Sequence, residues 1–243
     1  MRLLIVRHGD PDYTIDSLTE KGVREAKYLA ERLEKEKIDY MYVSPLGRAK
    51  DTAGFTLSKR GEKAEELAWL QEFAPRINRP DVTDKKTIAW DWLPQDWADV
   101  EENYLVDEWY KNPVFADSDV PQEYAYITGE FDKLLEKHGY EREGNLYKAV
   151  RPNNDTICLF CHFGLECVLL AHLFHTTPMM LWHHTCAAPT SVTTVVTEER
   201  REGTAIFRMS SFGDISHLYV KGEPPAFAAR FCECYHNEGE RRD

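Results

Sequence analysis

Short unbroken apolar runs alternate along this chain with longer segments whose apolar residues recur every three or four positions. The run LLIV, Leu3 to Val6, has the pattern of a strand covered on both faces in a parallel sheet, and Arg7 and His8 follow at its C-terminal end. SLTEKGVREAKYLAERLEKEK then places Val23, Ala26, Ala30 and Leu33 on one helical face, with Ser17 and Glu20 in capping-box spacing at its start. Tyr40 to Val43 reads as a second strand. SPLGRAKDTAGFTL turns from it into a second helix, with Arg48 in or near the first turn. Strand, helix, strand, helix in this order predicts a parallel sheet with helices on its faces.

The same grammar returns later. Asp155 to Cys161 (DTICLFC) reads as a strand, and His162, Phe163 and Gly164 lead into an apolar helix, LECVLLAHLF. Ser191 to Thr197 and Ala205 to Met209, joined by the polar EERREGT, predict a hairpin closing one edge of the sheet. The whole predicts one α/β domain over residues 1–243. Its expected form is a three-layer α/β/α sandwich with a mostly parallel central sheet, one antiparallel edge strand, and a helical insertion over the strand C-terminal ends. That insertion is residues 81–123, acidic and aromatic, with Trp90, Trp92, Trp97 and Trp109. Residues 227–243 read as a short helix or coil with a charged, frayed end.

Composition narrows the partners. Thirty basic against 42 acidic residues give a formal charge of −12, which argues against nucleic acid or an anionic membrane as the main partner. It leaves room for a small anion in a local basic pocket. There is no apolar run of about 18 residues and no secretory leader pattern after Met1, so a cytoplasmic protein with reduced cysteines is expected. Cys158 and Cys161 form a C-x-x-C, but an offset of three along a strand points them to opposite faces, which disfavours a zinc or redox site. His183 and His184 are adjacent with no third ligand in view and read as surface or pocket-wall residues.

In open α/β sheets ligands collect at the carboxyl ends of the strands, where this reading puts Arg7, His8, Arg48 and His162. Two permanent cations and two imidazoles there suit a phosphate dianion, and peptide N–H groups near Phe163 and Gly164 could add to the cradle.

LLIVRHGD, LTEKG, SPLGRAKDTA and CHFG, in this order and structural context, resemble the histidine phosphatase superfamily, which includes cofactor-dependent phosphoglycerate mutases and broad-specificity phosphatases. SSFGDISHL also resembles a common ending of that fold. The resemblance implies that His8 is the nucleophile that becomes phosphohistidine, and that Arg7, Arg48 and a protonated His162 bind the phosphate. It implies a proton-donating glutamate beyond the second helix, for which Glu72 in WLQEF is the candidate; the aspartate used by another branch would fall at Phe163. A neutral imidazole suits nucleophilic attack, fixed cations suit the charge of the transferring phosphoryl group, and the donor needs a raised pKa. Neither a metal nor a cofactor is then required.

Mutases in this family continue R-H-G with a glutamate and then an asparagine, where this chain has Asp10 and Thr14, and FAPRINRP replaces their substrate-gripping segment. The expectation is therefore a phosphomonoester hydrolase acting on a small phosphorylated metabolite, with Gly164 at the phosphate and Arg76, Trp92 and Trp97 gripping the substrate. Arg79 is a further candidate grip. The alternatives are a mutase-type phosphotransferase and a non-catalytic phosphate-binding regulatory protein. A homodimer is compatible with the sequence.

Overall fold

The computed structural model describes residues 1–228, 231–234 and 236–237, so part of the stretch read as a charged end lies outside the described residues. The first quarter contains strands β1 (Arg2–Arg7), β2 (Pro11–Asp12) and β3 (Ser17–Leu18), helix α1 (Glu20–Leu33), β4 (Tyr40–Val43) and helix α2 (Gly47–Arg60). The middle holds β5 (Glu65–Glu66), β6 (Arg76–Ile77), β7 (Thr87–Ile88) and helices α3 (Pro94–Trp97), α4 (Pro113–Ala116) and α5 (Val120–Lys137). The remainder is β8 (Tyr140–Glu143), β9 (Leu146–Ala149), β10 (Thr156–Cys161), α6 (Phe163–Phe174), α7 (Pro178–His184), β11 (Val192–Arg201), β12 (Thr204–Asp214) and α8 (Ser216–Lys221).

Eight strands form the main sheet in the order β5-β4-β10-β1-β11-β12-β9-β8. The β5, β4, β10 and β1 strands run parallel, and β1 and β10 align Arg7 with Cys161. Side chains alternate across this sheet as strand geometry requires. Leu3, Ile5, Leu159 and Cys161 face one core with α5 and α6, while Leu4, Val6, Cys158 and Phe160 face a second core with α1 and α2. The two cysteines of the C-x-x-C thus lie on opposite faces.

The antiparallel part is larger than the single edge strand expected. The β11–β12 hairpin lies inside the sheet, and β9 and β8 extend it antiparallel beyond β12. YEREGNLYKA is rich in charge because only one face of this flank is covered: Tyr140, Tyr147 and Ala149 are buried and the residues between them are not. Gly144, at φ +61°, makes its turn.

The capping of α1 also differs. Thr19 is the N-cap, its hydroxyl accepting from the Gly22 amide, whereas Ser17 sits in β3 and donates to Asp51. Gly22 is required where it stands, because a Cβ there would lie 2.2 Å from the Asp10 carbonyl oxygen. The start of α1 is thereby pressed against the loop that follows His8.

The insertion is less helical than expected. It contains the four-residue helices α3 and α4 and two 3-10 turns, Glu101–Tyr104 and Trp109–Lys111, before α5 starts at Val120. Extended backbone at Val100 and Leu105 interrupts any longer helix. Trp92, Trp97 and Trp109 are all buried and join Phe115 and Trp182 in the larger core. Among the described residues no helix is long and apolar enough to cross a membrane.

Candidate active site

Adjacent parallel strands bring the two histidines together. The end of β1 carries Arg7 and His8, the end of β10 delivers His162, and the rings of His8 and His162 are 5.1 Å apart between centroids. The first turn of α2 adds Arg48, whose Nε is 3.4 Å from His8 Nε2.

The state of His8 follows from its contacts. Its Nδ1 is 2.7 Å from the Gly9 carbonyl oxygen, which can only accept, so Nδ1 carries the proton and Nε2 presents a lone pair toward Arg48. Burial, then the positive charges of Arg7 and Arg48, hold its pKa well below the usual histidine value. The Gly9 amide donates to Thr52 Oγ1, which fixes the loop that receives this proton.

His162 Nε2 is 2.8 Å from Ser44 Oγ, while its buried Nδ1 has no hydrogen-bond partner. Burial, followed by His8, Arg48 and Arg7, depresses its pKa strongly, a direction that works against the protonated His162 expected from the sequence. Three neighbouring positive or titratable groups disfavour a further charge until an anion arrives.

Arg48 donates from Nη1 to Asp16 at 2.5 Å and lies over the Tyr13 ring. Asp16 also accepts from the Gly47 amide at 2.7 Å. Although burial opposes it, these contacts keep the Asp16 carboxyl below its usual pKa, so a permanent anion aims Arg48. Arg7 is 1 % exposed and donates to two main-chain oxygens, Ala187 at 2.5 Å and Ala228 at 2.6 Å.

Glu72 stands at the opposite wall. Its Oε1 accepts from the amides of Phe73 and Leu165, both at 2.9 Å, the second being in the first turn of α6. Burial raises its pKa against the opposing pull of the Leu165 amide and Arg7. Gly164 makes space for this arrangement: a Cβ there would come within 2.4 Å of the Trp90 indole and 2.8 Å of Glu72 Oε1. Gly164, expected at the phosphate, packs under the proton-donor candidate and Trp90.

A cleft of about 640 Å³ opens from Glu72 and Arg48, lined also by Tyr13, Arg76, Ile88, Trp90, Asp119 and Glu123. Arg76 lines this cleft. Trp92 and Trp97 do not: each is 4 % exposed, with Trp92 packed on Phe115 and Trp97 on His183 and His184. Their large apolar area is better satisfied in the core than at a solvated rim. Trp90 is the tryptophan at the cleft, its indole donating to the Phe73 carbonyl at 2.8 Å. Arg79 is engaged by Asp81 and Asp91 at the surface rather than gripping the cleft. Ser44, Asp16, Thr52 and Trp90 are site residues that sequence reasoning missed. Ser44 was visible as the head of the S-x-x-x-R-A spacing, but nothing local assigns its hydroxyl to His162.

Residues 3–104 match the family model of the histidine phosphatase superfamily (branch 1). Among solved structures, a mutant phosphoserine phosphatase from Entamoeba histolytica in complex with phosphoserine is 18 % identical, with TM-score 0.57, over 89 % of this chain and 98 % of that one. A mycobacterial glucosyl-3-phosphoglycerate phosphatase complexed with VO3 is 19 % identical, with TM-score 0.56, over 87 % and 98 %. Bacillus stearothermophilus YhfR is 23 % identical, with TM-score 0.55, over 89 % and 98 %. No curated protein sequence matches the chain. Arg7, His8, Arg48 and Glu72 lie inside the segment that matches the histidine phosphatase superfamily (branch 1) model, and the fold of these phosphatases is shared along most of the chain.

Proposed function

We propose that the protein is a phosphomonoester hydrolase that works through a phosphohistidine on His8 without a metal. The observation that carries this reading is the tautomer of His8, whose proton is held on Nδ1 by the Gly9 carbonyl while Nε2 faces the Arg48 guanidinium. His8 Nε2 attacks phosphorus, the bond to the ester oxygen breaks, and Glu72 protonates that departing oxygen. Water then attacks phosphorus, Glu72 takes its proton, and the P–N bond breaks to release inorganic phosphate. Arg7, Arg48 and His162 hold the phosphoryl oxygens, and dianion binding favours the protonated form of His162 that burial and its cationic neighbours disfavour. The substrate class is supported by the phosphatases of related fold, two of which are named for phosphoserine and glucosyl-3-phosphoglycerate.

Arg76, Trp90 and Tyr13 line the side from which the leaving group departs, and residues 81–123 act as part of its wall through Ile88, Trp90 and Asp119. Phosphate release from an aryl phosphate in the presence of EDTA, compared between the unmodified protein and His8→Ala, tests the reading. Turnover that persists in EDTA and vanishes with the substitution is expected. Turnover indifferent to His8, or none from folded protein, contradicts it.

A further inference from the structure

Described residues of the C-terminal segment reach Arg7 and Trp90, at the side of the phosphate pocket. Lys21 and Arg24 hold Glu223, and the Ala226 amide donates to the buried Glu25 carboxylate at 3.0 Å, which also accepts from the Asp10 amide beside the catalytic loop. The Ala228 carbonyl then takes a hydrogen bond from Arg7, and Phe231 meets Trp90 edge-on at 6.1 Å. The two histidines near it are buried: His8 is 2 % exposed and His162 0 %.

The same segment carries one of a pair of neighbouring sulfurs. Cys232 Sγ is 3.4 Å from Cys186 Sγ, and both residues are exposed. Their placement ties the pair to the site, because Cys186 immediately precedes Ala187, the other main-chain partner of Arg7, and Cys232 lies just beyond Ala228. Phe231 and Cys232 both hold left-handed backbone, at φ +62° and +61°, which residues with a Cβ adopt only where surrounding contacts keep them there. The contrast within the chain is clear: Cys158, Cys161 and Cys167 are fully buried, and burial pushes their thiols up, away from reactivity.

We propose that Cys186 and Cys232 are a redox modification site, whose disulfide ties the C-terminal segment over the phosphate pocket and shuts it. The oxidant is a low-molecular-weight disulfide such as oxidised glutathione. One protein thiolate attacks it, forming a mixed disulfide and releasing one reduced glutathione; the second protein thiolate attacks the protein-side sulfur and releases the other. Two protein thiols are oxidised, one external disulfide is reduced to two thiols, and the protons balance. The sulfurs need to close from 3.4 Å to a bonding distance of about 2.05 Å. The effect on turnover rests on the phosphatase reading; the linkage itself does not.

The full chain is reduced with a dithiol or oxidised with glutathione disulfide, digested without reduction after alkylation, and assayed on an aryl phosphate. The expected result is a Cys186–Cys232 linked peptide in the oxidised sample, with turnover lowered about tenfold or more, as a pinned closed state requires, and restored by the dithiol. Cys232→Ser and Cys186→Ser are each expected to keep the reduced-state activity and to ignore the oxidant. Absence of the linked peptide, or its presence with unchanged turnover, overturns the proposal. A reduced protein that binds no substrate and turns nothing over counts against the phosphatase reading, and the modification site then stands or falls on the linked peptide alone.

Discussion

A histidine attacks phosphorus only through an unprotonated nitrogen, and the residues around His8 supply that condition twice. The Gly9 carbonyl chooses the tautomer, and burial beside Arg7 and Arg48 keeps the ring neutral. Glu72 is biased the other way, its pKa raised by burial, the direction that the proposed proton donor needs. The two directions predict a bell-shaped dependence of kcat/KM on pH, in which the acid limb is protonation of His8 and the alkaline limb is loss of the Glu72 proton. Glu72→Gln is expected to slow alkyl phosphates by about 10²- to 10⁴-fold, to spare aryl phosphates with good leaving groups by comparison, and to remove the alkaline limb. Equal losses for both ester classes, with the limb intact, would assign the proton to another group. At this scale the sequence was most informative: Arg7, His8, Arg48, Glu72 and His162 converge because each sits at a strand end, in a helix's first turn, or in the loop beyond it. Ser44, Asp16 and Thr52 were illegible because their roles are hydrogen bonds to residues distant in the chain.

Among the elements, the insertion divides its tryptophans between two tasks. Trp97 is core, against His183 and His184, whereas Trp90 lies over Gly164 at the cleft. Trp97→Ala is therefore expected to cost about 3–5 kcal/mol of stability, read as a lowered Tm, with the kinetics of the remaining folded enzyme little changed. Trp90→Ala and Gly164→Ala should do the reverse, lowering kcat/KM while Tm falls less; the alanine methyl at 164 drives into the Trp90 indole and the Glu72 carboxylate. A Tm loss for Trp90→Ala matching that of Trp97→Ala would place Trp90 in the core instead. The sequence could not make this division, since four tryptophans in an irregular segment have no period from which a face can be read. The charged β8–β9 hairpin escaped for a related reason: its short strands alternate weakly, and only Gly144 and Asn145 mark the turn.

For the whole molecule, two buried carboxylates make stability depend on pH. Glu25 and Glu166 are both pushed by burial from 4.5 to about 7. A carboxyl with a raised folded-state pKa contributes stability that is complete below its unfolded value and is lost as pH rises through the folded value, here from about 4.5 to about 7. At 1.36 kcal/mol per pKa unit the loss is about 3 kcal/mol at most for each group. Glu166→Gln is accordingly expected to gain Tm relative to the unmodified protein between pH 5 and pH 8, and a constant difference across that range would contradict the assignment. Glu25 has a second meaning, since it holds both the loop after His8 and the C-terminal segment. The contact of Ala228 with Arg7 was invisible in the sequence, where the tail after Pro224 has no periodic pattern.

The proposed mechanism turns on a covalent bond between His8 and phosphorus. Rapid mixing with an aryl phosphate, quenching under alkaline conditions that preserve phosphohistidine, and peptide mass spectrometry read that bond directly. A peptide carrying one phosphoryl group on His8, absent from His8→Ala and accumulating in Glu72→Gln with a good leaving group, is the predicted result. Multiple turnovers with no phosphorylated peptide at any quench time, or with the phosphoryl group on another residue, would contradict it.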